Sequence, residues 1–325
     1  MISKLTDLQK LSRDVYNGSV QKYSKDEAEL AIKTAVIEAC GGEWNIYSFQ
    51  ENKYKVFAIM SEVLSIGLGE LLTGKFDEFV ETRDTDLGDT IEFDVEDNSL
   101  FKVATIADGN TDIRRQKIYG TKLTVATELM GVKIYEELDK FIAGRINWSK
   151  MIDKVMQSYA HEVAVKIYNA IYGSYSALVA PYKVNAVYDK TTLTDMIAHI
   201  EASTGQKAVV FGTKKALGKI TDATPSERMK DELNMMGHYG YVAGTALLEL
   251  PQAHLAGTDT FGVNDSFLLV VPNGEKIVKL ILEGDAYVYD TPAGVRNDSQ
   301  LEFFFGRKAG VAVLISRNFA IYQLA

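Results

Sequence analysis

Residues 76–126 have the sequence FDEFVETRDTDLGDTIEFDVEDNSLFKVATIADGNTDIRRQKIYGTKLTVA, and this stretch decides the fold. Its first limb is strongly acidic, with ten acids against one base over residues 76–97, a net charge of −9. Its second limb is basic, with five bases against two acids over residues 99–122, a net charge of +3. The stretch is a long charged excursion between two segments with helical periodicity.

Both limbs also show the alternation of a β-strand. Apolar side chains alternate with acids over residues 91–96, and the period of two returns over residues 121–126. The two limbs therefore predict an extended β-hairpin. An isolated two-stranded hairpin is only marginally stable in water, so we expect something to cover its apolar face. A neighbouring copy of the same chain is the natural candidate.

The opposite charges of the limbs predict charge pairing between subunits. The candidate subunit-interface residues are Asp84, Asp86, Asp89, Glu92, Arg114, Arg115 and Lys117. A calcium loop is the alternative for the acids, but Gly88 stands where a third oxygen ligand belongs and Asp89 stands where a glycine is required. Contact with phosphate remains the alternative for the three bases.

The composition is that of an ordinary globular protein, with 325 residues, 46% hydrophobic and 24% charged. A net charge of −9 and a pI near 5.1 argue against a dedicated nucleic-acid binder, although they allow loose containment of nucleic acid. The single cysteine, Cys40, excludes an internal disulfide and fits a reducing compartment. No signal peptide and no membrane-spanning run is expected.

Helical periodicity frames the excursion. It predicts a short helix over 26–39 that ends at Gly41-Gly42, an apolar stretch over 56–72, and a helix over 132–143. The clearest helix runs from Ser149 to Gly173. Its apolar residues come in pairs every four positions, so the stripe winds around the helix and its two ends face different partners. This pattern indicates a spine helix that crosses a sheet.

From Thr191 onward the pattern is α/β. We expect a helix over 193–202, a strand over 208–211, a helix opened by Thr213 and a helix over 225–236. Pro272-Asn273-Gly274 predicts a hairpin between strands at 267–271 and 277–282. Further strands are predicted at 287–289, 301–305, 311–315 and 319–322, and we expect the C-terminal strands to pack under the spine helix.

Motifs for catalysis or for metal binding are incomplete. Residues 69–76 follow the P-loop pattern until its last position, where Phe76 replaces the hydroxyl residue that binds Mg²⁺. The four histidines are far apart and none lies in a zinc-binding spacing. No G-x-S-x-G is present, and the glycines around residue 240 lack the dinucleotide-binding spacing. We therefore assign no catalytic residue, no cofactor and no metal site.

The order of these elements resembles that of the major capsid proteins of tailed bacteriophages, which share the Hong Kong phage capsid fold with encapsulins. The resemblance implies an α+β fold and five segments. Residues 1–75 would form an N-terminal arm with helices, 76–126 the extended loop, 127–190 the peripheral domain with the spine helix, and 191–265 the α/β axial domain. Residues 266–325 would complete both domains, and residues 207–214 resemble the axial strand-to-helix step.

The resemblance also implies the function. A structural major capsid protein would assemble into hexameric and pentameric capsomers of an icosahedral shell around double-stranded DNA. An encapsulin that encloses a cargo enzyme is the alternative, and an α/β enzyme without a known motif is a third hypothesis. Because the arm before Glu70 is short, a separate scaffold protein is expected, together with a portal, weak non-specific DNA contact and no membrane. The chain would lie in the host cytoplasm during assembly and in the virion capsid afterwards.

Overall fold

A computed structural model shows how the chain folds, and it describes residues 25–76, 78–95, 101–106, 108, 114–116, 121–137, 148–221, 226–291, 300–315 and 319–325. The N-terminal arm before residue 25 and Lys117 lie outside the described residues. The helices within them are α1 (Lys25–Ala39), α2 (Ile46–Phe76), α3 (Trp148–Ser174), α4 (Lys190–Thr204), α5 (Lys214–Leu217) and α6 (Glu227–Met236), and a 3₁₀ turn (Tyr175–Ala177) follows α3.

The strands form a four-stranded sheet, a six-stranded sheet and a two-stranded ribbon. They are β1 (Val80–Thr85), β2 (Glu92–Val95), β3 (Thr121–Thr124), β4 (Glu128–Glu137), β5 (Lys183–Ala186), β6 (Ala208–Thr213), β7 (Tyr241–Val242), β8 (Thr245–Leu250), β9 (Phe267–Pro272), β10 (Val278–Thr291), β11 (Gln300–Val313) and β12 (Ala320–Leu324). The four-stranded sheet has the order β1-β10-β11-β4, the six-stranded sheet the order β5-β12-β9-β6-β8-β7, and the ribbon pairs β2 with β3.

The spine helix is α3, and it buries the stripe that the sequence predicts. Its fully buried residues include Ile152, Val155, Val163, Ile167 and Ile171, all at 1% exposure or less. Helix α3 contacts α2 and strand β11, and α2 packs on β10. The four-stranded sheet therefore has one face covered by two helices. The predicted packing of the C-terminal strands against the spine helix is confirmed for β11.

The six-stranded sheet is covered on both faces. Along β9 the side chains of Phe267, Leu269 and Val271 belong to the core that contains the spine helix. Those of Leu268 and Val270 point to the other face and join a second core under α4 and α5. A strand buried on both faces has a continuous apolar run, which explains the sequence FLLVV.

The α/β helices begin at side-chain caps. Asp189 accepts from the backbone N–H of Thr192 at 2.8 Å and caps α4. The Thr213 hydroxyl accepts from Ala216 N–H at 3.3 Å and caps α5, so the predicted helix opening at Thr213 is confirmed. The helices predicted over 193–202 and 225–236 correspond to α4 and α6.

Residues 132–137 are a strand and not the start of a helix, so this prediction is wrong. Strand β4 pairs antiparallel with β11, with Ile134 opposite Phe303 and Val132 opposite Phe305. A short apolar segment can satisfy both periods. The partner strand decides between them here, because β11 supplies the ladder and a buried face for Val132 and Ile134. The rest of that predicted helix, residues 138–143, lies outside the described residues.

The hairpin predicted around Pro272-Asn273-Gly274 is also wrong. Strand β9 pairs with β6 and β12, whereas β10 pairs with β1 and β11, so the turn carries the chain from one sheet to the other. The strands predicted at 301–305 and 311–315 form one strand, β11. Similarly, the stretch at 56–72 is the middle of the longer helix α2, which continues past Gly74.

Candidate assembly site at the extended loop

The excursion after α2 divides into two parts. Strand β1 does not belong to the ribbon, because it pairs in parallel with β10 in the four-stranded sheet. The ribbon itself begins at β2, where Glu92 lies opposite Thr124 and Val95 opposite Thr121. Part of the acidic limb is therefore built into the sheet of its own subunit.

Cross-strand polar contacts continue the ribbon outward. Lys122 Nζ lies 2.5 Å from the Glu92 carboxylate. Farther out, the Lys102 backbone N–H donates to Gln116 Oε1 at 2.8 Å and the Gln116 amide donates to the Lys102 carbonyl at 2.7 Å. Residues 102 and 116 thus face each other across the loop.

The inner end of the ribbon packs on its own sheet. Phe93 and Val125 are buried against Ile281, with Leu123 and Ala312 beside them. The expectation that the apolar face is covered is therefore confirmed for this part, but a neighbouring copy, the natural candidate, is not what covers it. The physical reason is that the ribbon lies on the face of β10 and β11 opposite to the helices. On that face Ile281 and Ala312 supply the apolar cover.

Two cations hold Phe93 in place. The guanidinium carbon of Arg83 lies 4.7 Å from the ring centroid and Lys279 Nζ lies 5.4 Å from it. Partial burial alone would raise the pKa of the Glu81 carboxyl, but its bonds to Lys279 and Arg83 together outweigh burial and hold that pKa below the usual range. Cation–π contacts of this kind fix the orientation of the ring as well as its burial.

Both limbs of the loop bond to one carboxylate where they leave the sheet. Glu283 of β10 is buried and accepts from the Gly88 backbone N–H at 3.0 Å, from Lys308 Nζ at 2.9 Å and from the Thr127 hydroxyl. Gly88 precedes β2 and Thr127 follows β3. The three donors, the Thr127 hydroxyl first, lower the pKa of Glu283 to about 2, so the group is ionised at neutral pH.

A second buried charge lies beside it. Arg307 of β11 donates to the carbonyls of Gly284 and Ser65 and to Asp84 Oδ1, each at 3.0 Å. Burial lowers the pKa of the guanidinium, and the nearby Asp84 and Asp285 carboxylates oppose that shift. Arg307 therefore joins α2, β1 and β10 at the root of the loop.

Strand β10 is irregular at this point. The register with β11 shifts between Glu283 and Tyr287, and Gly284 has a φ of 67°. The Ser65 hydroxyl accepts from the Ala286 N–H at 2.8 Å, which ties the bulge to α2. An open cleft beside the bulge has four carboxylates in its lining, Asp84, Asp86, Asp89 and Asp285.

The outer end of the loop is exposed. Phe101, Val103 and Ile106 are 53%, 97% and 43% exposed, and Arg114 and Arg115 are exposed as well. Such apolar side chains on a charged ribbon mark a surface that a partner can bury.

The structure separates the predicted interface residues into groups. Asp84 pairs with Arg307 and Glu92 pairs with Lys122, both within the subunit. Asp86 and Asp89 are exposed in the turn after β1, where the Asp89 N–H donates to the Asp86 carbonyl at 3.1 Å. Asp84, Asp86 and Asp89 therefore line one cleft, whereas Arg114 and Arg115 precede Gln116, which bonds to Lys102 beyond the β2–β3 ribbon. Their role at a subunit interface stays a prediction.

Sequence reasoning missed Glu283, Arg307 and Thr127. A signal for two of them is present in the sequence, because Glu283 and Arg307 interrupt apolar strand patterns with charges. A charge on the buried part of a strand needs a partner. The sequence does not say which partner, since the bonded groups are far apart along the chain.

The segment with the P-loop pattern is part of α2 through Phe76, so it cannot form a phosphate-binding loop. Burial raises the pKa of the Cys40 thiol, which opposes formation of a thiolate. His161 is half-buried on the spine helix, and its Nε2 has no hydrogen-bond partner among the described residues.

Over the ranges given above, no group of three or more histidine, cysteine or acidic residues is placed to hold a metal ion. In the same part of the chain, no helix is both long enough and apolar enough to cross a membrane.

Solved structures share this fold at low sequence identity. The capsid of a native GTA particle is 10% identical with a TM-score of 0.53, covering 78% of this chain and 90% of that one. The mature capsid of bacteriophage PhiM1 is 10% identical with a TM-score of 0.51, covering 75% and 85%. A virus-like particle from Pyrococcus furiosus is 9% identical with a TM-score of 0.48, covering 81% of this chain and 98% of that one.

A family model described as "SPbeta prophage-derived putative capsid protein YonB" matches residues 7–323. A search of curated protein sequences gave no match. The predicted α+β capsid fold and the prediction of a structural shell protein are confirmed, and the family match favours a phage capsid protein over an encapsulin. The chain belongs to the YonB family of prophage-derived capsid proteins.

Proposed function

We propose that this chain is the major capsid protein of a phage, whose copies close into an icosahedral shell around double-stranded DNA. The copies would form hexameric and pentameric capsomers, and the extended loop would tie each subunit to the next. The family match and the capsid fold support this proposal. Neither the family nor the fold calls for catalysis, which agrees with a structural protein that is not an enzyme.

The observation that carries the proposal is the separation of charge along the loop. The carboxylates of Asp86 and Asp89 line the cleft at the root, while Arg114 and Arg115 adjoin the Lys102–Gln116 pair near the outer end. The acidic cleft and the basic residues thus belong to different parts of the loop, one before and one beyond the β2–β3 ribbon.

A second copy can bring the two surfaces together. Contact between the root of one subunit and the outer end of another is heterologous, and heterologous contacts close into rings when the rotation allows. We propose that Asp84, Asp86, Asp89, Glu92, Arg114, Arg115 and Lys117 face neighbouring subunits in such rings. For Asp84 and Glu92 this would be a second contact, because each already pairs within its own subunit.

The other partners follow from the same function. A separate scaffold protein would direct closure, a portal would occupy one vertex, and contact with packaged DNA would be weak and non-specific because the chain carries a net charge of −9. Assembly would take place in the host cytoplasm. The division of the chain stays a proposal, with the axial domain at 191–265 and the loop at 76–126, of which β1 pairs in the four-stranded sheet.

Electron microscopy of the purified chain, alone and co-expressed with a candidate scaffold protein, tests this function. We expect closed shells or rings of five and six subunits. Light scattering that shows only monomer across salt and protein concentration, with and without scaffold, would contradict the proposal. Shells that are isolated from cells and consistently contain one enzyme and no DNA would favour the encapsulin alternative.

A further inference from the structure

The extended loop leaves the four-stranded sheet as two separate segments. The first passes through the turn at residues 86–89, and the second returns through residues 125–127. Gly88 has a φ of 92° and open space where a Cβ would lie, so no side chain at this position packs the turn against its surroundings. What holds the loop at a given angle must therefore lie in the contacts of these two segments with the sheet.

Two kinds of contact are present. The apolar contact of Phe93 and Val125 with Ile281 removes surface from water, but burial of apolar area is non-directional. The hydrogen bonds to Glu283 are directional, since they weaken steeply when their angles change. A carboxylate suits this task, because its two oxygens can accept from a donor on each segment and from a cation at the same time.

Glu283 meets that requirement. Its Oε1 accepts from Gly88 N–H at 3.0 Å and from Lys308 Nζ at 2.9 Å, and its Oε2 accepts from the Thr127 hydroxyl. Lys308 belongs to β11, the central neighbour of β10. One side chain thus joins both segments of the loop to the two central strands of the sheet.

The position of Glu283 strengthens this link. It is 4% exposed, and it directly precedes the bulge that Ser65 and Arg307 bond to α2. An ionised carboxylate is an acceptor only, with room for about four donors. A glutamine of nearly the same volume loses the negative charge that strengthens the bonds from Gly88 and Lys308, and its NH₂ group fits Thr127 only if that hydroxyl turns to accept, so the substitution weakens the link without creating a cavity.

We propose that Glu283 is a positioning residue that sets the direction in which the extended loop leaves the subunit. This proposal has a second part, which rests on the proposed function: the same residue sets the angle at which neighbouring subunits meet. Thr127 and Gly88 are its partners on the two segments, and Lys308 holds the carboxylate against the sheet.

Distance measurement between spin labels on the full chain tests the direction of the loop. Labels at Val103→Cys and Asn169→Cys, both exposed in the wild type, report the position of the loop relative to the spine helix. In dilute solution before assembly we expect a narrow distance distribution for the parent protein. Glu283→Gln should at least double its width, and hydrogen exchange at the Gly88 amide should become about tenfold faster.

A matched control is Glu92→Gln, which breaks the exposed ribbon pair with Lys122 and leaves the root bonded. It should keep the parent distribution. Thr127→Val removes one donor to Glu283. If Glu283→Gln does not fold, the distance distribution of this variant tests the positioning role instead. Unchanged distributions in the folded variants, or equal broadening in Glu92→Gln, would overturn the positioning role.

Electron microscopy then tests the link to assembly separately. Glu283→Gln subunits whose spin-label distance distribution is broadened should give irregular or open particles, where the parent protein gives closed ones. Normal shells from such subunits would overturn the effect on subunit angle. If the parent itself forms no shells, the proposed function fails, while the spectroscopic result still decides the role of Glu283.

Discussion

Arg307 Nη2 donates to Asp84 Oδ1 at 3.0 Å, and this bond joins a buried cation to a largely exposed carboxylate. The Arg307 side chain is 6% exposed and that of Asp84 is 69% exposed. The same guanidinium also satisfies the carbonyls of Gly284 and Ser65. The two partners therefore contribute unequally, since removal of the arginine takes three hydrogen bonds from the root and removal of Asp84 takes one.

We expect Arg307→Met to lower the free energy of unfolding by about 1–3 kcal/mol, because it removes the donor to the Gly284 carbonyl at the bulge and a second bond to the helical carbonyl of Ser65. Asp84→Asn should cost less than about 1 kcal/mol, as expected for an exposed partner. Urea denaturation of the two variants measures the difference. Equal losses would mean that the Asp84 bond, and not the two carbonyls, accounts for the effect of Arg307.

Ile167 is fully buried on the spine helix within the core of its own subunit. Ile167→Ala should create a cavity and cost about 2–5 kcal/mol, which lowers soluble yield before assembly is reached. Asn169→Ala, two residues along and exposed, is the control and should change little. Normal monomer stability with loss of shells would instead make this face of the helix a subunit interface.

The pKa of Glu283 gives a pH dependence with a definite sign. Its folded-state pKa of about 2 lies below the ordinary 4.5, so its contribution to stability is fully present above pH 4.5 and is lost as the pH falls through about 2. We expect the difference in denaturation midpoint between wild type and Glu283→Gln to be largest near pH 6 and to shrink toward pH 2.5. A difference that stays constant over this range would contradict the assignment.

Reversal of charge at the outer end of the loop should act on assembly alone. Arg114→Glu with Arg115→Glu should weaken shell formation and leave the thermal unfolding of the subunit nearly unchanged, because both side chains are exposed. Adding 1 M salt to the wild type should weaken assembly in the same direction, since the Debye length falls to about 3 Å.

The combined variant with Asp86→Lys and Asp89→Lys identifies the partner of these two arginines. Recovery of assembly in that variant would support pairing between the loop and the acidic cleft. An equal loss of thermal stability in the Arg114/Arg115 variant would show that these residues serve the fold of the subunit.

Gly310 allows the segment after β3 to cross β11 closely. A Cβ at this position would overlap the Ala126 carbonyl oxygen and lie 3.0 Å from Val125 Cγ1. We expect Gly310→Ala to displace the loop root and to cost about 1–3 kcal/mol. Gly173→Ala is the matched control, because a Cβ there meets nothing within 4 Å, and it should be neutral or slightly stabilising. Equal stability of the two variants by thermal denaturation would show that the root adjusts freely.

Elements with strong local signals could be predicted from the sequence. The spine helix has a continuous apolar stripe with helical spacing. Thr213 starts α5 through its side chain, and Gly205 ends α4 through its left-handed conformation. The charge asymmetry of residues 76–126 is likewise a property of the sequence alone. These features depend on residues close together in the chain, so a local pattern contains them.

The tertiary structure decided which strands pair and what covers the loop. Residues 128–137 form strand β4 because β11 provides their hydrogen-bonding partners. The turn at residues 272–274 joins two sheets because β10 pairs with β1 and β11. Glu283 meets Gly88 and Thr127 across separations of 195 and 156 residues. No local period encodes such distances. Directional hydrogen bonds and buried charges form only after the sheet has brought their partners together, and they give the loop its place on the subunit.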